Sequence, residues 1–202
     1  VNSLLNIQVD WIRSMAMFTR IFEYFDMKVD IESRNGSIIP AHATGAVAFE
    51  NVSFSYEPER EILHNISFRL EPGRSIAIVG PSGSGKSTMI NLIPRLYDVN
   101  RGSVKFCGID VRSLDLNWLR NNVGIVTQDT YLFNGTIRDN LLYVKPEATE
   151  AELISALEKA NIYDFVKNQE SGLDTIVGNR GLKLSGGEKQ RISIARVLLK
   201  DP

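Results

Sequence analysis

The chain has 202 residues, room for one domain with a packed core and a small appendage. It is 43% hydrophobic and 23% charged, near the globular average, which excludes a disordered tail, a collagen-like repeat and a low-complexity linker. Its 23 Lys+Arg against 24 Asp+Glu give a net charge of −1, without the basic excess of a dedicated nucleic-acid binder. The single cysteine, Cys107, has no partner for an internal disulfide, so a reducing compartment is allowed and an oxidising one is not excluded. No apolar run is long enough to span a bilayer, and no secretory leader opens the chain. The first residue, Val1, is not an initiator Met, which suggests a segment of something longer.

In chain order, Val1 to Ile31 comes first. Leu4, Trp11, Met15, Phe18, Phe22 and Phe25 form an apolar stripe broken only by Gln8, with Asp10, Arg13, Arg20 and Glu23 off the stripe. This spacing predicts an amphipathic helix. It fits a helix lying on its own domain as well as the end of a longer helix or bundle. Asp30 to Thr44 is polar and irregular, with Gly36 and Pro40, and reads as a linker.

From about Gly45 onward the pattern changes. Alternation at Val47, Phe49, Val52, Phe54 and Tyr56, and again over Ile66 to Leu70, predicts strands joined to the next run by a turn at Pro72-Gly73. Ser75 to Val79 is a short β-rich apolar run, expected to be a buried strand. Further strands are expected at Ser103 to Phe106 and Val123 to Thr127. Helices are expected over Lys86 to Tyr97, Thr136 to Tyr143, Thr149 to Ala160 and Glu188 to Lys200. Strands alternating with helices imply an α/β fold, with an antiparallel β portion at the start.

Two glycine-rich segments carry the chemistry. Gly80-Pro81-Ser82-Gly83-Ser84-Gly85-Lys86-Ser87-Thr88 fits G-x-x-x-x-G-K-[ST] between an expected strand and an expected helix, the context that confirms a phosphate-binding loop. Glycines let successive backbone N–H groups converge on phosphate oxygens, and the helix start adds its positive end. Lys86 supplies a charge for the β- and γ-phosphates, Ser87 a hydroxyl placed for Mg²⁺, and Thr88 a further hydroxyl. The second segment is Leu184-Ser185-Gly186-Gly187-Glu188. Ser185 and Glu188 form a capping box ahead of an apolar-periodic helix. Two glycines in a first turn weaken it by about 1 kcal/mol each relative to Ala, a cost that makes sense if a ligand must approach the backbone. Both readings, a well-capped helix start and a second anion site, stand on the pattern alone.

Through these segments the chain resembles the nucleotide-binding domain of an ATP-binding cassette (ABC) transporter. Leu184 to Arg191 matches that family's signature motif. Tyr56 matches the aromatic that stacks on adenine, and Gln128 the glutamine that touches Mg²⁺ and senses the membrane domains. Leu132 to Asn140 and Arg20 to Asp26 resemble the exporter branch. The resemblance covers essentially the whole chain. It implies an α/β P-loop NTPase fold with an N-terminal antiparallel β portion and a helical signature subdomain, preceded by the amphipathic helix.

By the same resemblance, residues 1–31 are the cytoplasmic end of the last transmembrane-domain helix, 32–44 a linker, and 45–202 the nucleotide-binding domain, incomplete at its C-terminus. ATP and Mg²⁺ are implied, with Lys86 and Gln128 in catalysis and Ser87 and Gln128 at the metal. The implied partners are a second nucleotide-binding domain, whose ATP would meet Leu184, Ser185, Gly186, Gly187 and Glu188, and the transmembrane domains of the parent chain. Nucleic acid is not expected, and the implied location is the cytoplasmic face of a membrane. The family's apolar strand ending in Asp-Glu, the D-loop and the switch histidine would follow Pro202, so the segment alone is expected to be inactive. Ile176 and Asn179 stand where exporters usually carry acidic residues, so the coupling contacts could differ. His42 and His64 read as structural or surface residues. The rival readings are a soluble ABC-type ATPase acting on nucleic acid or ribosomes, and a GTPase or small-molecule kinase. No N-K-x-D run serves guanine, and a kinase leaves Leu184 to Arg191 unexplained.

Overall fold

The computed structural model describes residues 2–33 and 36–202, without the side chains of residues 2–6 and 9. The chain divides into two units, Val1–Glu32 and Ser33–Pro202. The first is one helix, α1 (Asn2–Phe25), as its stripe predicts. Trp11, Met15, Phe18, Phe22 and Phe25 are all exposed, while the side chain of Leu4 lies outside the described residues. No helix among the described residues is long and apolar enough to cross a membrane.

The second unit starts earlier than the expected linker ends. Ile38 forms a bridge with Leu114, its N–H donating to the Ser113 carbonyl at 2.8 Å and its own carbonyl accepting from Asp115 at 3.0 Å. The Thr44 N–H reaches the Cys107 sulfur at 3.2 Å. The irregular stretch is therefore tied to the body of this unit by backbone pairing, although its composition reads as a free linker; residues 34 and 35 of it lie outside the described residues.

An antiparallel sheet of four strands follows: β1 (Val47–Glu57), β2 (Arg60–Leu70), β3 (Arg101–Phe106) and β4 (Ile109–Asp110), in the order β2-β1-β3-β4. The alternation of β1 slips at Glu50-Asn51, where the register shifts and Asn51 takes φ 48°. This bulge explains Gly102: a Cβ there would lie 2.3 Å from both the Glu50 and Asn51 carbonyl oxygens. Phe49, Val52, Phe54, Leu63, Val104 and Phe106 bury the inner face against Leu92, Leu114 and Leu119.

The helices are α2 (Lys86–Leu92), α3 (Leu116–Asn121), α4 (Ile137–Leu142), α5 (Glu150–Lys159), α6 (Tyr163–Lys167) and α7 (Gly186–Lys200). Helices α4 to α7 enclose a second core, with Ile137, Leu141, Leu153, Leu157, Ile162 and Ile192 at its centre. Short 3₁₀ turns at Gly172–Asp174 and Asn179–Gly181 close it.

Three expectations are corrected. Ser75–Val79 and Val123–Thr127 are not strands: neither joins a ladder among the described residues, and Ile76, Val79 and Val126 are exposed. An apolar run becomes a strand only by pairing, and these runs lack a hydrogen-bonded neighbour here. The helix expected to reach Tyr97 stops at Leu92, because Pro94 lacks an N–H and disfavours helical geometry in the residue before it.

Candidate nucleotide-binding site

The glycine-rich loop runs from Gly80 into α2. At its end Gly85 has φ 84°, and a Cβ there would come within 2.6 Å of Leu63 Cδ2, so the position admits only glycine. Leu63 belongs to β2 and is buried, so the hairpin packs directly beneath the loop. Lys86 folds back over the loop. Its Nζ donates to the Gly80 carbonyl at 2.9 Å and the Pro81 carbonyl at 2.7 Å. The ammonium is thus held by exposed carbonyls that solvent can serve equally well.

A cleft of about 620 Å³ opens at this loop. Ser82, Gly83, Gly85, Lys86, Ser87 and Thr88 line one side, Arg60, Glu61, Ile62 and His64 of β2 another, and Gln128 closes it. Ser87 and Gln128, distant in sequence, therefore face one space. The turn carrying Gln128 is fixed by the Thr127 hydroxyl donating to the Asp129 carbonyl at 2.8 Å. The only carboxylate among the lining residues is Glu61, held below its ordinary value chiefly by a hydrogen bond with Ser53, and also by His64.

Tyr56 is not among the lining residues, but it touches one of them. Its hydroxyl lies 3.2 Å from the Thr88 hydroxyl, and Thr88 is buried at the start of α2. The Tyr56 ring meets Phe54 edge-on at 4.9 Å between centroids. The approach of Arg60, Glu61, Ile62 and His64 to the loop is what the sequence does not announce. It depends on how the β1–β2 hairpin folds over, and the strand pattern expected from Ile66 misses the part of β2, from Arg60, that lines the cleft.

The second glycine-rich segment heads α7, apart from this cleft. The capping box forms as the sequence predicts: Ser185 N–H donates to the Glu188 carboxylate at 2.7 Å, and Glu188 N–H to the Ser185 hydroxyl at 3.4 Å. Leu184 points into the helical core, whereas Ser185, Gly186 and Gly187 are exposed. A Cβ on Gly186 would meet nothing within 4 Å, and one on Gly187 would meet only Arg191 Nη2 at 3.7 Å. Packing within the chain therefore does not require either glycine.

The segments on either side of α4 meet as well. Ile137 N–H donates to the Thr175 carbonyl at 3.0 Å and Val177 N–H to the Gly135 carbonyl at 2.9 Å. This leaves Ile176 exposed, with Asn179 beginning the following 3₁₀ turn.

Comparison with known proteins gives a consistent picture. A family model described as "ABC transporter" matches residues 63–202. YgaD of Bacillus subtilis (strain 168), which carries the name of a multidrug export ATP-binding/permease protein, is 46% identical over 203 residues, covering 100% of this chain and 35% of that protein. The mitochondrial iron-sulfur clusters transporter ATM1 of Kluyveromyces lactis is 51% identical over 164 residues, covering 81% of this chain and 23% of that protein. A solved bacterial Atm1-family ABC exporter with ATP bound superposes with a TM-score of 0.88 at 42% identity, covering 94% of this chain and 33% of its own. The chain thus spans about a quarter to a third of the length of these relatives.

Proposed function

This chain belongs to the ABC transporter family, and from that premise we propose that it is the ATP-binding and ATP-hydrolysing motor segment of an exporter. In this reading, residues 1–31 are the cytoplasmic end of the last transmembrane-domain helix, 32–44 a connecting segment, and 45–202 the nucleotide-binding domain. It works at the cytoplasmic face of a membrane, against a second nucleotide-binding domain and the transmembrane domains of the same protein. The observation that carries the proposal is the cleft in which Lys86, Ser87 and Gln128 face one space beneath a glycine-formed loop.

The chain's own groups have distinct tasks. The loop Gly80–Thr88 presents N–H donors to a polyphosphate, and Lys86 leaves the Gly80 and Pro81 carbonyls to meet the β- and γ-oxygens. Tyr56 offers a ring to adenine. Ser87 and Gln128 supply hard oxygen donors to one space, and no cluster of His, Cys, Asp or Glu that could cage a metal exists among the described residues. This donor set fits Mg²⁺, which keeps waters and leans on substrate phosphates. When bound, Mg²⁺ neutralises charge that builds on the phosphoryl oxygens. Leu184 anchors the signature segment, while Ser185, Gly186, Gly187 and Glu188 present a capped, glycine-opened helix start to the ATP of the partner domain.

The open space at Gly186 and Gly187 supports that last role, since the cost of two helical glycines has no return inside this chain. Neither named relative reported above acts, by its name, on nucleic acid or ribosomes, and the balanced charge agrees. The test is Gly187→Glu in the full-length exporter. A Cβ there meets only Arg191 Nη2 at 3.7 Å, and the added carboxylate faces an incoming phosphate, so turnover should fall at least about a hundredfold while expression and unfolding temperature hold. Unchanged turnover contradicts the two-domain site.

A further inference from the structure

Phe54, Tyr56 and Tyr97 form a three-ring cluster beside the phosphate loop. Tyr97 meets Tyr56 edge-on, with centroids 5.0 Å apart and an interplanar angle of 82°, and it reaches Phe54 at 5.7 Å. Phe54 is buried, but Tyr56 is 48% and Tyr97 43% exposed, so the outer two rings are not core residues. Three contacts therefore define the Tyr56 ring: its hydroxyl against Thr88, a residue lining the cleft, and edge-to-face pairs with the buried Phe54 and with Tyr97.

The backbone under Tyr97 is locked from two sides. Arg95, buried and in the left-handed region at φ 53°, grips Asp98 through Nε at 2.7 Å and Nη2 at 3.0 Å. Arg120 of α3 donates to the Pro94 carbonyl at 3.3 Å and the Arg95 carbonyl at 3.1 Å. A half-exposed aromatic thus sits on a turn held by the Arg95–Asp98 pair and by Arg120 of α3. Nothing in ring burial alone calls for it.

We propose that Tyr97 is a positioning residue for nucleotide recognition: it holds the Tyr56 ring, tied at its other end to Thr88, in the orientation that receives the base. This rests on the proposed reading of Tyr56 as the adenine platform. Edge-to-face pairs between aromatic rings contribute enough to matter for a ring that must wait, half exposed, in one orientation. A prop acting on the base contact alone leaves the phosphate contacts untouched.

The test is titration of the full-length exporter that holds this chain with Mg²⁺-ATP and, separately, with inorganic tripolyphosphate, for the parent, Tyr97→Leu and Tyr97→Phe. Tyr97→Leu should weaken ATP binding about three- to tenfold and leave tripolyphosphate binding unchanged. Tyr97→Phe, which keeps the ring, should bind ATP as the parent does. Equal ATP affinity for Tyr97→Leu and parent overturns the proposal, and so does an equal loss for both ligands, which would make Tyr97 a structural residue. A parent chain that binds tripolyphosphate but shows no preference for ATP over it removes the Tyr56 reading instead.

Discussion

Three hydrogen bonds converge on the Glu152 carboxylate, from Lys145 Nζ at 2.5 Å, Thr149 N–H at 2.7 Å and the Thr149 hydroxyl at 3.0 Å. Together they lower its pKa from 4.5 to about 2, the Lys145 bond contributing most. A carboxyl depressed in the folded state stabilises the fold above its unfolded pKa and loses that contribution as pH falls through the folded one. Stability should therefore decline between about pH 4.5 and pH 2, and Glu152→Gln should remove part of that decline. Thermal melts across this window at low and at 1 M salt check it; because the group is exposed, salt should shrink the difference. A parent and variant with parallel pH profiles would show that the box carries no charge-dependent stability. Thr149 and Thr136 were legible as the starts of their helices, but a capping box only at Ser185 and Glu188, although all three boxes form from residues three apart.

At the scale of elements, α4 and α7 are joined through one buried amide. Asn140, fully buried, donates to the Phe133 carbonyl at 3.0 Å and the Thr136 carbonyl at 2.8 Å and accepts from Phe133 N–H at 2.9 Å. Arg196 of α7 donates to the Asn140 carbonyl at 2.8 Å, to the Tyr131 carbonyl at 2.9 Å and to the Asn140 side-chain oxygen, and its guanidinium lies over the Phe133 ring at 5.3 Å. Burial pushes the Arg196 pKa down, so its charge is held by carbonyls and a ring face. Asn140→Ala leaves several buried groups unpaired and should cost about 2–3 kcal/mol in urea denaturation. Combined with Arg196→Met, the two losses should fall short of their sum by at least about 0.5 kcal/mol. Full additivity would mean that the loop and helix are not coupled through this amide. The sequence offered Asn140 only as part of an exporter-like run. Its role as a strut needs α7 beside it, which no local pattern shows. The strands tell the same story in reverse. β1 and β3 were legible because alternation coincides with pairing, whereas Ser75–Val79 and Val123–Thr127 have the apolar pattern and lack the partner.

Across the molecule, a sheet core and a helical core were foreshadowed as an antiparallel β portion and a helical signature part. The phosphate loop was legible as residue types and spacing, and Gln128 only through the family resemblance. The β2 edge of the cleft was not, because it arrives by tertiary folding. That edge also bears on turnover. Glu61, the only carboxylate among the described residues that line the cleft, is held anionic below its ordinary value by Ser53 and His64, which makes it a poor base for an attacking water. The 202-residue chain alone should show no ATP hydrolysis above background in a phosphate-release assay. Turnover that Glu61→Gln abolishes would assign the base to β2.

The most direct measurement is an ATP titration of this chain and of Lys86→Ala, with unfolding followed in the same samples. Among the described residues, Lys86 Nζ donates hydrogen bonds to the exposed Gly80 and Pro81 carbonyls and, at 3.5 Å, to the Ser84 hydroxyl. Its removal should therefore leave the unfolding transition in place. Affinity for ATP should fall about ten- to a hundredfold, the loss of one charge-assisted phosphate contact. Equal ATP affinity in the two proteins, both folded, would contradict the assignment of Gly80–Thr88 as the phosphate site.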